Sequence, residues 1–379
     1  MLRILDSLGD VSANEWNSLA LQGDPFVRHE FLFALEQTGC ATPATGWVAQ
    51  HLFLQDTNGK PLGAAPLYLK THSWGEFVFD FSWANAYARL GLPYYPKLIC
   101  AVPFTPATGP RLLVARDSDG AAVRDKLLSA MQSLANAALV SSVHLLFCDT
   151  DDHDPSLNRQ FLSRQDCQFH WHNREYQSFD AFIATFRADK RKKLLRERRR
   201  VHEAGIHFEI RTGAQMSDAD WQLAYALSEN TFARHGHEHY LNVEFFKTIA
   251  REMPATVVVI QARTETELVA VAICFRSDDT LYGRYWGAAD DYHSLHFETC
   301  YLQGIEYCIA QGLKHFEPGT QGEHKVARGF EPTYTRSSHW IADTRLRAAI
   351  SAHLAQERRA VEHYADSVRE HLPFHRAAP

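Results

Sequence analysis

The chain has 379 residues, of which 45% are hydrophobic and 22% charged, and a formal net charge of −6. This is the composition of a folded globular protein longer than one domain, and it excludes a disordered, collagenous or low-complexity chain. Mild acidity also excludes a protein that holds nucleic acid by overall charge, so a polyanion has to be met by a local patch. The seven cysteines, Cys40, Cys100, Cys148, Cys167, Cys274, Cys300 and Cys308, are odd in number and scattered through apolar runs without C-x-x-C spacing. They read as reduced core residues. The N-terminus MLRILDSLGD has no basic region followed by an apolar stretch, and no apolar run reaches the ~20 residues of a membrane span. The expectation is a cytoplasmic protein without membrane insertion.

In chain order, the pattern predicts a strand over residues 2–5, helices over 13–19 and 30–38, and strands over 47–54 and 61–70. Asn58-Gly59 between the last two is a hairpin signal. A strand over 97–102 leads to the turn-rich PFTPATGPR, then a helix over 121–138 and a strand over 144–148. The segment DTDDHDP, residues 149–155, is the clearest break in pattern. Beyond it come a strand over 169–173, a helix over 190–203, two more helices over 218–234 and 243–253, and strands over 256–262, 268–275 and 281–286.

From Leu281 onward polar density rises. Residues 281–288 alternate as a half-buried strand does, a loop follows, and apolar residues spaced three and four apart over 296–310 predict an amphipathic helix. Gly312 closes that helix, 314–317 is a short buried strand ended by Pro318-Gly319, and GTQGEHKVARGFEP turns into a last strand over 333–341. A long charged helix over 344–371 ends the chain. Strand, loop, helix, strand thus occurs twice, over 97–148 and 281–317. The reading is a mixed α/β protein of two similarly folded halves, residues 1–165 and 166–379.

Three constellations carry chemistry. Glu317, Glu323 and His324, with Lys325, fall just beyond the carboxyl end of a central strand, where open α/β sheets bind ligands. The bland alternative is that Glu317 is a helix-facing carboxylate and GEHK a solvated turn. As a cluster they are candidates to take the proton of a nucleophile. Tyr282, Tyr285 and Trp286 are candidates to line an acceptor groove, and Arg284, which alternates with Tyr285 and so shares a face with Tyr282 and Trp286, offers a cation for an anionic acceptor. The third is the basic helix over 189–204. Arg187 to Glu203 holds nine Lys or Arg against three acids, a local cationic stripe suited to a phosphate-bearing partner, with Lys190, Arg191 and Arg198 as candidate contacts. The bland alternative is a solvated, salt-bridged helix. His235-x-His237-x-His239 and His170-x-His172 lack the converging third and fourth ligands a metal needs, and no metal is predicted.

Beside this reading stands a resemblance. The segments GDPFVRHEFLFALEQTG, GEFVFDFSWANAYARLGLPYYPKL, AVPFTPATGPRLL, LYGRYWG, LHFETCY and GEHKVARGF run in the order of the bacterial Fem-like group of predicted N-acyltransferases. This group resembles the Fem-type peptidoglycan aminoacyltransferases of the GNAT superfamily. The resemblance implies two tandem GNAT-like domains, each a mixed, splayed sheet flanked by helices. It also implies transfer of an acyl or aminoacyl group to a small-molecule or peptide amine. Lys325 and Arg328, with Gly329 and Phe330, match its K-x-x-R-G-F motif, which places Lys325 and Arg328 at the substrate.

The phosphate turn departs from the GNAT pattern. At DDYHSLHF it carries Asp290 and Asp291 and no glycine, whereas FTPATGPR in the first half, with Thr108, Gly109 and Arg111, suits an anion better. The donor is therefore left as acyl-CoA, an acyl carrier protein or aminoacyl-tRNA. The other class of reading is a catalytically silent GNAT-like module that binds a phosphorylated or nucleic-acid ligand.

Overall fold

The computed structural model describes residues 1–20, 23–234, 236–290, 292–320 and 322–375. The chain forms two compact units, Met1–Asp166 with Tyr334–His363, and Cys167–Thr333 with Tyr364–Pro379. The second crossing differs from the sequence division, which gave everything after 165 to one half. Its cause is strand pairing: Ser338 to Ile341 lie antiparallel to Leu145 to Ser142 and so join the first unit's sheet.

In the first unit, Trp47–Ala49, Leu67–Lys70, Lys97–Cys100, Ser142–Leu145 and the final strand stand side by side in that order. Leu2–Leu5, His51–Gln55, Pro61–Ala65 and Leu113–Val114 make a second, four-stranded sheet. Two strands expected as continuous are therefore divided. The run 47–54 breaks at Gln50 and the run 61–70 at Pro66, and each half enters a different sheet. Proline supplies no ladder N–H, so a strand changes partners there at little cost. Helix Gly120–Ala137 buries Val123, Leu127, Leu128 and Met131 against Leu98, Val143 and Leu145. It joins the two parallel strands of this unit, in which Leu98, Ile99 and Cys100 face Val143, His144 and Leu145.

The DTDDHDP break is a helix rather than a linker. Thr150–Asn158 starts on Asp149, whose side chain accepts the Asp152 N–H, with Asp151 and Asp152 in the first turn. Acids there complement the positive end of the helix, which is why the segment looks polar yet is ordered. A second helix, Phe81–Arg89, falls in a stretch for which the sequence pattern predicts no element, and it buries Trp83 and Tyr87.

In the second unit the strand order is His207–Thr212, Val257–Arg263, Leu268–Arg276, Thr280–Ala288, His315–Glu317 and Leu162–His172. All neighbours run antiparallel except Thr280–Ala288 with His315–Glu317, which are parallel. Helix Asp218–Arg234 lies directly on the Thr280–Ala288 strand at Gly287, where a built Cβ would stand 2.1 Å from the Leu227 carbonyl carbon. Backbone sits on backbone here, so only glycine fits. We expect Gly287→Ala to lower stability by about 1–3 kcal/mol, as overpacking does. Chemical denaturation of the variant checks this; an unchanged midpoint would mean that the helix shifts freely.

Candidate active site

The site begins where the two parallel strands of the second unit part. Thr280, Leu281 and Tyr282 pair with His315, Phe316 and Glu317, and there the parallel ladder ends. The short strand stops because Pro318 follows and Gly319 turns the chain at φ +100°. The longer strand goes on to Ala288, still paired on its other edge with Leu268–Arg276. Beyond Tyr282, the edge toward the short strand has no strand partner among the described residues. The gap stays narrow at its root, since a Cβ on Gly283 would come within 3.3 Å of the Pro318 Cα.

On the paired edge the register slips. Ile273 faces Tyr285 while Cys274 faces Gly283, leaving Arg284 as the extra residue of a β-bulge. Bulges re-aim side chains, and this one sends the Arg284 guanidinium to 3.9 Å from the Glu317 carboxylate. The other oxygen of Glu317, which is 8% exposed, lies 3.9 Å from Nδ1 of His170. Burial first, then the neighbouring cations, push His170 down to about 3, so its imidazole is neutral, and Nε2 pairs with the Gln168 side-chain oxygen at 3.0 Å. Burial also lowers Arg284, with Glu317 opposing the shift.

Lys325 completes this group. It sits in the short 3₁₀ helix Glu323–Arg328, is 2% exposed, and its ammonium donates to the Gly319 carbonyl at 2.7 Å, on the turn that ends the short strand. Burial, and then Arg284, lower it to about 7. Near neutral pH this lysine divides between ammonium and amine.

The helix that follows the longer strand is irregular at the same level. Glu298–Leu302 is a π-helical turn between Leu295–Phe297 and Gln303–Gln311. Such turns insert an extra residue and recur at functional sites. Here it projects Tyr301, whose hydroxyl pairs with His324 Nε2 at 2.8 Å. The same turn buries Glu298, which Gln303 holds at 2.7 Å and Arg198 at 3.4 Å. Burial raises Glu298, with Arg198 opposing.

Of the sequence candidates, Glu317, Arg284 and Lys325 come together. Glu323 does not join them: it is exposed and accepts the Tyr364 hydroxyl at 2.9 Å, beside a small recess of about 270 Å³. His324 belongs to the Tyr301 pair. Tyr285 points to the face opposite Arg284, stacked on His239 and packed against Phe246, as adjacent residues on a strand do. Trp286 lines a pocket of about 480 Å³ with Arg234, Asp290 and His296. Arg328 is a framework residue, pairing with Glu197 at 2.8 Å, donating to the His324 carbonyl and covering the Phe297 ring.

The basic helix, Ala188–Glu203, docks through Leu194 and Val201. Arg198 is turned inward to Glu298 and Glu306 and over Phe179, and Arg328 reaches back to Glu197. Lys190 has Asp189 at 3.9 Å and Arg191 is half-buried, whereas Lys192, Lys193, Arg196, Arg199 and Arg200 are exposed. In the first unit, Arg111 is 1% exposed and its guanidinium donates to the carbonyls of Ala107, Pro110 and Leu146. Gly109 makes an isolated bridge with Cys148, and Thr108 beside it is half-buried. That loop is thus tied into its own backbone. His235 and Asp291 lie outside the described residues. His170 was legible only as one of a histidine pair. Its meeting with Glu317 follows from the antiparallel pairing of His172 with His315, for which the sequence carries no local signal.

A mixed sheet with a central parallel pair, present in both units, is a tandem GNAT-like fold. FemX superposes over 90% of this chain and 98% of its own with a TM-score of 0.55 at 11% identity. The C-terminal domain of a putative lysylphosphatidylglycerol synthetase from Agrobacterium fabrum covers 80% of this chain and 87% of its own, with a TM-score of 0.51 at 9% identity. L-PGS from Bacillus licheniformis covers 84% and 92%, with a TM-score of 0.50 at 11% identity. These likenesses concern the fold. The FemAB-like family model, described as peptidoglycan biosynthesis/recognition, matches residues 7–376, and the chain belongs to that family. No curated protein matches the sequence.

The two sides of the basic helix should separate experimentally. Arg198→Met leaves Glu298 buried without its cation and should cost about 1–3 kcal/mol. The triple change of Lys192, Arg196 and Arg199 to Glu, on the exposed side, should stay within about 0.5 kcal/mol per position. Paired thermal melts measure both; equal losses would contradict the inward role of Arg198.

Proposed function

We propose that the second unit catalyses N-acyl transfer, with a substrate amine attacking an activated acyl or aminoacyl carbonyl directly. The observation that carries this reading is the parting of the parallel strands at Tyr282 and Glu317, with Glu317, Arg284 and Lys325 gathered at its root. In the proposed step the amine nitrogen bonds to the carbonyl carbon, and the bond to the leaving oxygen or sulfur breaks. The amine proton passes to Glu317, directly or through one water, and then to the leaving group. Main-chain N–H groups of the strand between Gly283 and Gly287 meet the developing oxyanion. Arg284 and the charged form of Lys325 orient an anionic acceptor.

For the donor, the observations favour aminoacyl-tRNA over acyl-CoA. The turn before the π-containing helix carries Asp290 and no glycine, and the Arg234 guanidinium donates to the Ala289 carbonyl, an arrangement unsuited to a pyrophosphate. The exposed cations of the basic helix, by contrast, suit a polyanion. An amine on a peptidoglycan precursor is the acceptor that family membership suggests.

The test supplies radiolabelled aminoacyl-tRNA or acyl-CoA together with a peptidoglycan-precursor peptide, and follows acid-stable label into the peptide. Label from neither donor would sink the reading, and label from acyl-CoA alone would overturn the choice of donor.

Two changes then probe the residues. Glu317→Gln should lower turnover by about 10²–10⁴-fold, with partial recovery at high pH as the amine deprotonates in solution. A fall in melting temperature without a specific fall in turnover would mark a purely structural carboxylate.

Lys325 gives a pH signature. Its ammonium, present below about 7, is lost as pH rises, so KM for an anionic acceptor should climb through neutrality. Lys325→Arg, charged throughout, should flatten that climb. An unchanged profile in the variant removes Lys325 from acceptor binding.

A further inference from the structure

The first unit contains a second group of buried charges that the proposed transfer does not use. Lys70 and Lys97 are direct register partners on the antiparallel strands Leu67–Lys70 and Lys97–Cys100, and both are 0% exposed. Like charges set opposite one another in a sheet repel, and removing two ammonium groups from water is costly unless each is answered. Only Lys97 is answered. It donates to Glu76 and Ser73, each at 2.8 Å, and to Asp80. Lys70 instead meets the Trp74 carbonyl at 3.1 Å, His72 Nδ1 at 3.4 Å and the face of Trp47 at 4.0 Å, and no carboxylate among the described residues lies within ion-pair distance.

The anionic and hydroxyl partners of Lys97 come from one irregular segment, residues 73–80, which links the strand ending at Lys70 to helix Phe81–Arg89. This segment turns at positive φ through Gly75 and Phe77. It carries Glu76 and Asp80 inward, 4% and 3% exposed, and Trp74 and Phe79 outward, 58% and 51% exposed. Asp80 is fixed, accepting from Ser73 at 2.6 Å and from Tyr94 at 2.5 Å as well as from Lys97. Glu76 is held by Lys97 alone, and its second oxygen has no hydrogen-bond partner among the described residues. Buried polar atoms are seldom left in this state, and this one belongs to a carboxylate that answers Lys97.

We propose that Lys70 and Lys97 form a carboxylate-binding site in the first unit, in which Glu76 stands in for the carboxylate of a ligand and gives way to it. Charge selects the ligand class. Burial lowers Lys70 to about 7, so it is partly uncharged near neutrality and takes up a proton when an anion arrives. With Asp80 fixed in place, the two charged lysines then leave room for a single further negative charge, so a monoanionic carboxylate fits and a phosphate dianion is repelled. Glu76 is a weak occupant for the same reasons: burial, reinforced by Asp80 and opposed by Lys97, raises it to about 7, so near neutrality it readily loses its charge. The carboxylate could belong to a small free acid or to a peptide C-terminus, and the probes separate the two.

The test uses the full chain as wild type, Glu76→Gln, and Glu76→Gln with Lys70→Met. Sodium acetate, N-acetyl-Ala-Ala as the free acid, its C-terminal amide, and inorganic phosphate are titrated calorimetrically at matched ionic strength. Glu76→Gln should bind acetate or the peptide acid about tenfold or more tightly than wild type, the weight of one charge-assisted hydrogen bond. Lys70→Met should abolish the gain, and the amide should not bind. Preference for the peptide acid over acetate identifies a peptide terminus as the ligand, and the reverse a small acid. No gain in a folded Glu76→Gln variant, equal binding of the amide, or tighter binding of phosphate overturns the proposal. If Glu76→Gln does not fold by circular dichroism, hydrogen exchange of residues 73–80 in the wild type decides: faster exchange with acetate supports displacement of Glu76, and unchanged exchange refutes it.

Discussion

The second unit depends on one local event, the loss of a parallel strand partner after Tyr282 and Glu317. A parallel pair inside a sheet ordinarily satisfies both backbones along its length. Here Pro318 cannot extend the ladder and Gly319 turns away, so the longer strand runs on with one edge open. The charged groups are arranged around that opening. Glu317 is the last residue of the short strand, Arg284 is the bulged residue of the long one, and Lys325 is tied to Gly319 on the turn between them. All three are buried where the strands part.

Burying such groups is unfavourable, and the surrounding structure shows how the charges are compensated. Arg284 and Glu317 offset one another, neutral His170 adds no charge, and Lys325 relieves its own desolvation by titrating near neutrality. A ring of framework pairs holds the elements that carry them. Arg198 ties the basic helix to the π-helical turn, and Arg328 ties the 3₁₀ helix back to Glu197 on the basic helix. The basic helix is thus two surfaces in one, an inward face that positions the site and an outward cationic face.

The first unit repeats the parallel pair but finishes it differently. After Cys100 and Leu145 the pairing resumes only at the isolated Gly109–Cys148 bridge. Carbonyls in this region, those of Ala107, Pro110 and Leu146, are taken by the buried Arg111 guanidinium, while the Arg111 and Leu112 N–H groups go to Asp152. Side chains supply what a ligand could have supplied. The unusual buried charge of this unit lies instead at the opposite end of the Lys97–Cys100 strand, at Lys97 and its register partner Lys70.

Much of this was legible in the sequence, because periodicity, caps and turn residues are local. The amphipathic helix after residue 295, the short buried strand ended by Pro318-Gly319, the basic stripe and the order of motifs all follow from neighbours a few residues apart. So did membership in a Fem-like group, whose motifs run the length of the chain. What tertiary structure alone decided is which groups meet. A one-residue register slip set Arg284 against Glu317, and pairing across more than a hundred residues of sequence brought His170 beside them. Docking of the basic helix turned Arg198 from a surface cation into a buried partner, and the same kind of folding enclosed Lys70 and Lys97. Local pattern sets what each segment is, since a side chain's spacing along the backbone is fixed by covalent geometry. Charge chemistry depends on distances through space and on exclusion of water, and both arise only when distant segments pack.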